Sequence, residues 1–259
     1  MTPPNAQLFR ELHHHAEPLL LPNAWDARSA ATYQELGFRA VGTSSAAIAS
    51  TLGYADGEQM PFADLRFVVA RICQAVQVPV TVDVEAGYSR DAAQVCANVA
   101  QLAELGVVGI NIEDSVVRNG QRQLVPADAF AELLHQLKSH QAARGSDVFI
   151  NARTDTYLLG TAQPLAETRQ RAEAYEQAGA DGLFVPGLTD LGHMRELSAA
   201  TSLPLNVMCL PNLPSFDELQ QAGVRRISMG NFAFEHLGRV HAAAMAKLRS
   251  EENFATLFR

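Results

Sequence analysis

Short apolar runs alternate with amphipathic stretches along the whole chain. Eight of the apolar runs are short and compact enough to be buried strands, at Leu19 to Leu21, Ala40 to Gly42, Val80 to Asp83, Gly109 to Ile112, Val148 to Asn151, Gly182 to Val185, Leu205 to Val207 and Arg226 to Ser228. The amphipathic stretches predict helices at about 27–36, 62–76, 91–105, 127–143, 164–178, 190–199, 215–222 and 231–249. Eight strand–helix units predict a parallel (β/α)₈ barrel, with a doubly wound sheet as the alternative.

Glycine and proline mark the boundaries between these units. A glycine follows a helix-like stretch and precedes an apolar run at Gly37, Gly106, Gly179 and Gly223. This position is typical of the left-handed residue that ends a helix. No Gly-x-Gly-x-x-Gly or Walker-type loop follows the first predicted strand, which disfavours a dinucleotide-binding fold.

Composition narrows the function classes. A chain of 259 residues, 47% hydrophobic, can bury one large core, and we expect a single domain over residues 1–259. The net charge of −8 and the lack of a Lys/Arg run argue against nucleic-acid binding. No apolar segment reaches the roughly 18 residues that a membrane span needs, and the N-terminal residues do not resemble a signal peptide. We therefore expect a cytoplasmic protein that does not associate with membranes.

Polar side chains that could bind a metal ion or a substrate follow several predicted strands. Asp83 and Glu85 lie two residues apart at the end of one run, so in a strand both carboxylates would point to the same face. Glu113 follows the next run, and Arg153 follows the one after it. Carboxylates that converge from neighbouring strands form an oxygen-rich site suited to Mg²⁺ or Mn²⁺. The alternative for any one of these acids is a solvated loop position.

Two long stretches after strands, 43–61 and 115–126, have no predicted element and are expected to be loops. The first begins with Thr43, Ser44 and Ser45. Small hydroxyl residues at such a position expose backbone N–H groups that can surround a carboxylate. An ordinary Ser/Thr-rich turn is the alternative.

Five motifs occur in one order at successive strand ends: Pro22 to Ala27, Gly42 to Ser45, Asp83 to Tyr88, Ile112 to Asp114 and Asn151 to Asp155. This set resembles the isocitrate lyase/phosphoenolpyruvate mutase superfamily over nearly the whole chain. The resemblance implies a (β/α)₈ barrel that exchanges its C-terminal helix between subunits of a dimer or tetramer. It also implies a Mg²⁺ or Mn²⁺ ion that holds a small 2-oxo or 2-hydroxy carboxylate.

By matching position, the resemblance also implies residue roles. Asp83 matches the direct metal ligand, and Asp56, Glu85 and Glu113 match ligands that act through water. The substrate-binding residues are Trp25, Thr43, Ser44, Ser45, Arg153 and Asn206, and the catalytic residues are Arg153, Glu113 and Tyr88. Two alternatives stay open, because Arg153 could form a structural salt bridge with Asp155 or Glu113, and Asn206 could be a capping residue.

The segment after Asp114 departs from the superfamily pattern. Members that cleave isocitrate or 2-methylisocitrate carry a Lys-Lys/Arg-Cys-Gly-His loop there, and the mutases carry a lysine. Residues 115–126 contain no cysteine, histidine or lysine. Arg118 and Arg122 could close over an anionic substrate, but arginine is a poor proton shuttle because its pKa stays above about 12. Cleavage that depends on a cysteine is therefore disfavoured.

These observations predict a Mg²⁺-dependent lyase. A divalent cation that bridges a carboxylate and a 2-oxo group stabilises an enolate, so a bond one carbon away can break by carbon–carbon cleavage or decarboxylation. A proton could then come from water or from Tyr88. The alternatives are a carboxylate-binding barrel without catalysis and a mutase or hydrolase that acts on a phosphorus–carbon bond.

Overall fold

The computed structural model describes residues 4–118 and 120–258. Its strands are β1 (Leu19–Leu21), β2 (Asn23–Ala24), β3 (Val41–Thr43), β4 (Val80–Asp83), β5 (Gly109–Glu113), β6 (Ser115–Arg118), β7 (Gln121–Leu124), β8 (Phe149–Arg153), β9 (Gly182–Phe184), β10 (Leu205–Met208) and β11 (Val224–Ser228). Its α-helices are α1 (Pro4–Leu12), α2 (Ala27–Glu35), α3 (Ser45–Leu52), α4 (Phe62–Ala75), α5 (Ala92–Glu104), α6 (Ala127–Arg144), α7 (Pro164–Gln177), α8 (Leu191–Ala200), α9 (Phe216–Gln221) and α10 (Phe232–Glu251). A short 3₁₀ helix, Ala255–Phe258, follows α10.

The central sheet is a barrel of parallel strands in the order β1-β11-β10-β9-β8-β5-β4-β3-β2. β1 and β2 are two parts of one strand interrupted by Pro22, whose carbonyl accepts a hydrogen bond from Gly42 N at 2.9 Å. The ring therefore has eight strand positions and is closed by this strand, which pairs with β11 through β1 and with β3 through β2. The predicted (β/α)₈ barrel is confirmed, and the doubly wound alternative is wrong.

The predicted strand boundaries agree with the observed ones to within about two residues, but both predicted long loops contain regular structure. α3 lies within 43–61 because Ser44 caps it, with its Oγ accepting a hydrogen bond from Ala47 N at 3.3 Å, and Gly53 ends it in a left-handed conformation. An antiparallel β6–β7 hairpin lies within 115–126. Its two strands flank the sequence Asn119-Gly120, a strong hairpin signal that the loop prediction overlooked.

Helix α1 covers the N-terminal end of the barrel. Phe9 is fully buried and meets Phe149, the first residue of β8, edge to face at 5.5 Å between ring centroids. His13, just beyond the end of α1, stacks on Phe149 at 4.3 Å, and its Nδ1 lies 2.7 Å from the Phe9 carbonyl oxygen. Full burial of a phenylalanine contributes about 2–3 kcal/mol to stability. This aromatic layer closes the barrel at the end opposite the strand ends that bear the predicted site residues.

The C-terminal helix α10 packs little against the rest of the chain. None of its residues is buried, and Leu237 and Val240 are 53% and 52% exposed. Phe234 contacts Trp25, with ring centroids 5.3 Å apart. Exchange of this helix between subunits stays a prediction. Among the residues that the structure describes, no helix is both long and apolar enough to cross a bilayer.

Candidate active site at the carboxyl ends of the strands

Three adjacent strands bring the predicted acids and Arg153 to one end of the barrel. β4, β5 and β8 are neighbours, with Asp83 opposite Asn111 and Glu113 opposite Arg153 in the strand register. The carboxyl ends of parallel strands share one end of a barrel, which is where the sites of this architecture form. The convergence predicted from the sequence is therefore present for Asp83, Glu113 and Arg153.

Asp83 is held by the segment that follows β3. Its Oδ2 accepts a hydrogen bond from Ser45 Oγ at 2.8 Å, and its backbone N–H donates to Thr43 Oγ1 at 3.0 Å. Asp83 Oδ1 is buried and has no hydrogen-bond partner among residues 4–118 and 120–258. Ser45 donates its hydroxyl proton to Asp83, whereas the hydroxyls of Thr43 and Ser44 act as acceptors in these bonds and keep a proton that could be donated to a carboxylate. The backbone N–H groups of the segment and the positive end of α3 would attract the same group.

Glu85 and Tyr88 lie in a tight turn directly after β4. Both have left-handed backbones, with φ of 49° and 58°, which costs a residue other than glycine about 1 kcal/mol or more. The Tyr88 hydroxyl donates to Glu85 Oε1 at 3.2 Å. Burial and then the charges of Asp83 and Asp56 raise the pKa of Glu85 to about 8, and burial beside Glu85 raises the pKa of Tyr88. At neutral pH, in the absence of a metal ion, Glu85 is therefore largely protonated and Tyr88 is a neutral phenol.

Glu113 is buried between two arginines. Arg153 Nη1 lies 2.9 Å from Glu113 Oε2, and Arg122 forms a second ion pair with Glu113 Oε1. Arg153 also bonds Asp155, with Nε 2.7 Å from Oδ1, and its guanidinium lies 5.8 Å from the centre of the Phe184 ring. The salt bridge expected as the alternative role of Arg153 thus exists with both candidate partners. Burial raises the pKa of Glu113, and the two arginines oppose that rise.

Arg122 reaches the site from the β6–β7 hairpin. Its Nη1 lies 3.3 Å from Asp155 Oδ2, and its Nη2 lies 3.7 Å from Asp56 Oδ2. The hairpin approaches the loop of Asp56 closely, because a Cβ on Gly57 would lie 2.9 Å from a methyl carbon of Val117. One guanidinium therefore bridges Asp56 and Glu113, two of the predicted metal ligands. Arg118 on the same hairpin is exposed.

The donor set fits a hydrated divalent cation at Asp83. The buried Oδ1 of Asp83 is available, and no salt bridge reaches this carboxylate from any described residue. Within residues 4–118 and 120–258, no three His, Cys, Asp or Glu side chains lie close enough to ligate one ion directly. Mg²⁺ commonly keeps several water ligands and binds through one or two carboxylates, so this arrangement suits it.

Two predicted site residues lie apart from this cluster. Asn206 is 1% exposed inside the barrel, where its Nδ2 donates to the Val207 carbonyl at 2.7 Å and its Oδ1 accepts from Asn151 at 3.0 Å. It lies within β10 and caps none of the described helices, so the capping alternative is wrong. Trp25 is half-buried against Phe234 of α10. Substrate contacts for both residues stay predictions.

Several polar residues of the barrel were given no role from the sequence. Asp114, which continues the Glu113 motif, is fully buried and accepts hydrogen bonds from Tyr175 at 2.6 Å and Arg171 at 3.1 Å, so it anchors α7 to the barrel. Arg226 lies fully buried in the barrel interior. A charged residue inside a predicted apolar strand was the available signal for Arg226, whereas no local pattern marks the contacts of Asp114.

Comparison with known proteins agrees with this architecture. The family model described as phosphoenolpyruvate phosphomutase matches residues 9–249. An uncharacterized protein of Mycobacterium tuberculosis (strain H37Rv) is 38% identical over 238 residues, which cover 92% of this chain and 86% of the relative. A solved structure from Burkholderia cenocepacia J2315, provisionally named a phosphonomutase, superposes with a TM-score of 0.88 at 39% identity and covers 93% of this chain and 99% of its own.

Relatives with named activities are more distant. The 2-methylisocitrate lyase of Salmonella typhimurium (strain LT2) is 29% identical over 253 residues, covering 95% of this chain and 85% of the relative. The oxaloacetate decarboxylase of Marinomonas sp. (strain MWYL1) is 28% identical over 235 residues, covering 87% and 79%. The order of motifs along the chain, the closed barrel and the family match agree, and the chain belongs to the phosphoenolpyruvate phosphomutase family of the phosphoenolpyruvate mutase/isocitrate lyase superfamily.

Proposed function

We propose that this protein is a Mg²⁺- or Mn²⁺-dependent lyase that decarboxylates or cleaves a small 2-oxo or 2-hydroxy carboxylate. The observation that carries the proposal is the buried Oδ1 of Asp83, which has no hydrogen-bond partner among the described residues. It lies at the same end of the barrel as the Arg153 guanidinium. A cation bound there would polarise a carboxylate and an adjacent oxo group of the substrate. The named relatives, a 2-methylisocitrate lyase and an oxaloacetate decarboxylase, act on substrates of this class.

In this proposal Arg153 binds and orients the substrate. Its planar guanidinium can donate two parallel hydrogen bonds to a carboxylate. In the structure Nε and Nη2 each bond Asp155 and Nη1 pairs with Glu113, which holds the guanidinium against Phe184 and leaves one further N–H on Nη1 and one on Nη2 for the substrate. A residue oriented in this way loses little side-chain freedom when it binds the substrate, which favours a well-defined bound geometry.

Protonation of the product is assigned to Tyr88. Residues 115–126 contain no cysteine, histidine or lysine, so the hairpin over the site provides no ordinary acid. Tyr88 is a neutral phenol whose hydroxyl donates to Glu85. In the metal-free protein burial raises the pKa of Glu85 to about 8, and a bound cation would lower it, so Tyr88 is the acid of the loaded site. A decarboxylation, which needs only one proton at the product carbon, fits this arrangement better than cleavage of isocitrate or 2-methylisocitrate.

One observation favours a second candidate, a carboxylate-binding barrel without turnover. Arg122 occupies the space between Glu113 and Asp56 and pairs with both. If that guanidinium stays in place, it neutralises two acids that would otherwise help to hold a metal hydration shell. The hairpin would then serve binding only.

The test is a steady-state assay on oxaloacetate, 2-methylisocitrate, isocitrate and phosphonopyruvate with Mg²⁺, with Mn²⁺ and with EDTA. We expect metal-dependent turnover of oxaloacetate that Arg153→Ala reduces by about 10²-fold or more, as when a group that positions the substrate is lost. Arg169→Ala is the matched control, because Arg169 lies on the outer helix α7 and pairs with Glu196. Binding of the carboxylates without any turnover would support the second candidate, and phosphonopyruvate turnover would indicate phosphorus–carbon chemistry.

A further inference from the structure

Arg226 is a cation buried in the middle of the barrel. It projects from β11 and is 0% exposed. Its Nη2 donates to Asn111 Oδ1 at 3.1 Å, and Asn111 lies on β5, four strand positions from β11 and so on the opposite side of the eight-position barrel. Since Asn111 is the register partner of Asp83, the Arg226 guanidinium lies close to the base of the proposed metal site.

Most of the hydrogen-bonding capacity of this guanidinium is unused. Arg226 Nε and Nη1 are buried and have no partner within the described ranges, and the same holds for Thr81 Oγ1 and Asp83 Oδ1 on β4. No carboxylate of those ranges forms a salt bridge with Arg226. A buried charge with unsatisfied donors costs several kcal/mol, on the order of what a single core mutation costs, so it needs a compensating interaction.

Asp83 is the acid whose charge acts on Arg226. Burial lowers the pKa of Arg226 to about 9, and the Asp83 carboxylate opposes that change. The side chain is therefore still a cation at neutral pH. Within the described ranges, the cation and the acid that act on each other thus both keep buried polar atoms without a side-chain partner.

We propose that Arg226 is a positioning residue, a fixed cation below Asp83 that weakens the hold of the site on a bare divalent cation and strengthens its hold on an anionic substrate. This inference rests on the proposed function. Its physical basis is the Coulomb interaction between the guanidinium and the ions bound at Asp83. This interaction is stronger inside a protein than in water because the effective dielectric constant is about 20 rather than 80. A guanidinium that only supported the barrel packing would shift the affinities for cation and anion together, through the same loss of order.

The test uses three variants of the full chain and isothermal titration calorimetry. Mg²⁺ is titrated into the metal-free protein, and oxalate is titrated into the Mg²⁺-saturated protein. In Arg226→Met, which keeps the length of the side chain and removes the charge, we expect Mg²⁺ to bind about tenfold more tightly and oxalate about tenfold more weakly, each the equivalent of about 1.4 kcal/mol. Arg226→Lys keeps the charge and loses the bond to Asn111, so both affinities should stay within about threefold of wild type.

Arg225→Met is the matched control. Arg225 is the neighbouring residue on β11, is only half-buried and donates to the Val224 carbonyl. It should leave both affinities unchanged. Melting temperatures are recorded for every variant, and Arg226→Gln replaces Arg226→Met if the latter does not fold.

Opposite shifts for cation and anion in the uncharged variant, with recovery in Arg226→Lys, would support the proposal. Unchanged affinities, or a joint loss of both with a lower melting temperature, would assign Arg226 a packing role and overturn it. An Arg226→Lys variant that behaves like the uncharged variant would also overturn it. If the wild-type protein bound no Mg²⁺ at all, the proposed function itself would fail, and this role of Arg226 with it.

Discussion

Replacement of Glu85 by glutamine should change how stability depends on pH. Glutamine keeps the shape of a protonated glutamate and cannot ionise. In the folded protein the pKa of Glu85 is about 8, well above the ordinary value of 4.5, because burial and the neighbouring acids disfavour its charge. A folded-state pKa that is raised in this way gives stability that is fully present below pH 4.5 and is lost as the pH rises through 8. The metal-free wild-type protein should therefore become less stable between pH 5 and pH 9.

The size of this effect follows from linkage. At 1.36 kcal/mol per pH unit, a carboxyl whose pKa moves from 4.5 to about 8 changes the free energy of unfolding by at most about 5 kcal/mol. That upper bound is comparable with the whole stability of many domains, about 5–15 kcal/mol. Glu85→Gln removes this contribution, so its stability should fall much less over the same pH range.

The measurement is urea unfolding at pH 5, 7 and 9 in the presence of EDTA. Glu104→Gln on the outer helix α5 is the control, because Glu104 is exposed and lies 3.8 Å from Arg144 in a surface ion pair. We expect the wild type and the control to lose several kcal/mol, on the order of 2–5, between pH 5 and 9, and Glu85→Gln to lose clearly less, with a remaining slope because the pKa values of Glu113 and Asp114 are also raised. Equal pH slopes in Glu85→Gln and wild type would refute the assignment of a protonated Glu85.

Four further results are expected. Asp83→Ala should abolish Mg²⁺ binding, since it removes the buried carboxylate oxygen that no described residue engages, and unchanged affinity in calorimetry would exclude the metal site as proposed. Arg122→Gln should tighten Mg²⁺ binding by about tenfold because Glu113 is released from one guanidinium; a weaker affinity would argue against competition between Arg122 and the cation. Sedimentation at micromolar concentration should show at least a dimer, and Leu237→Glu with Val240→Glu on the exposed face of α10 should dissociate it; a monomeric wild type would contradict helix exchange. Turnover of isocitrate and 2-methylisocitrate should be about 10²- to 10⁴-fold slower than in an enzyme with a general acid on this loop, and a kcat of about 1–10³ s⁻¹ would show that another residue supplies the proton.

The barrel could be predicted because its signals are local. Each buried parallel strand is a short apolar run, and each helix is an amphipathic stretch that often ends at a glycine such as Gly106 or Gly179. The convergence of the acids at the ends of neighbouring strands could also be predicted, because parallel strands place all their carboxyl ends on one side. Asp83, Glu113 and Arg153 converge for that reason.

No local sequence pattern indicated which charged residues pair inside the site. Arg122 and Glu113 are nine residues apart, and the hairpin between them was predicted as a loop, so their ion pair could not be foreseen. Nor does any short pattern place Arg226 next to Asn111, 115 positions earlier in the chain. Contacts of this kind depend on closure of the barrel and on the length of each side chain.

The sequence by itself therefore determined the alternation of strands and helices, the family and the end of the barrel at which the acids gather, since these depend on periodicity and on residue type at strand ends. Only the tertiary structure decided which charges meet. It directs the Arg153 guanidinium to Glu113 and Asp155 and leaves one oxygen of Asp83 without a partner among the described residues. The physical reason is that an ion pair or an unsatisfied atom is set by distances of a few ångströms between elements far apart in sequence, and those distances exist only after the barrel has closed.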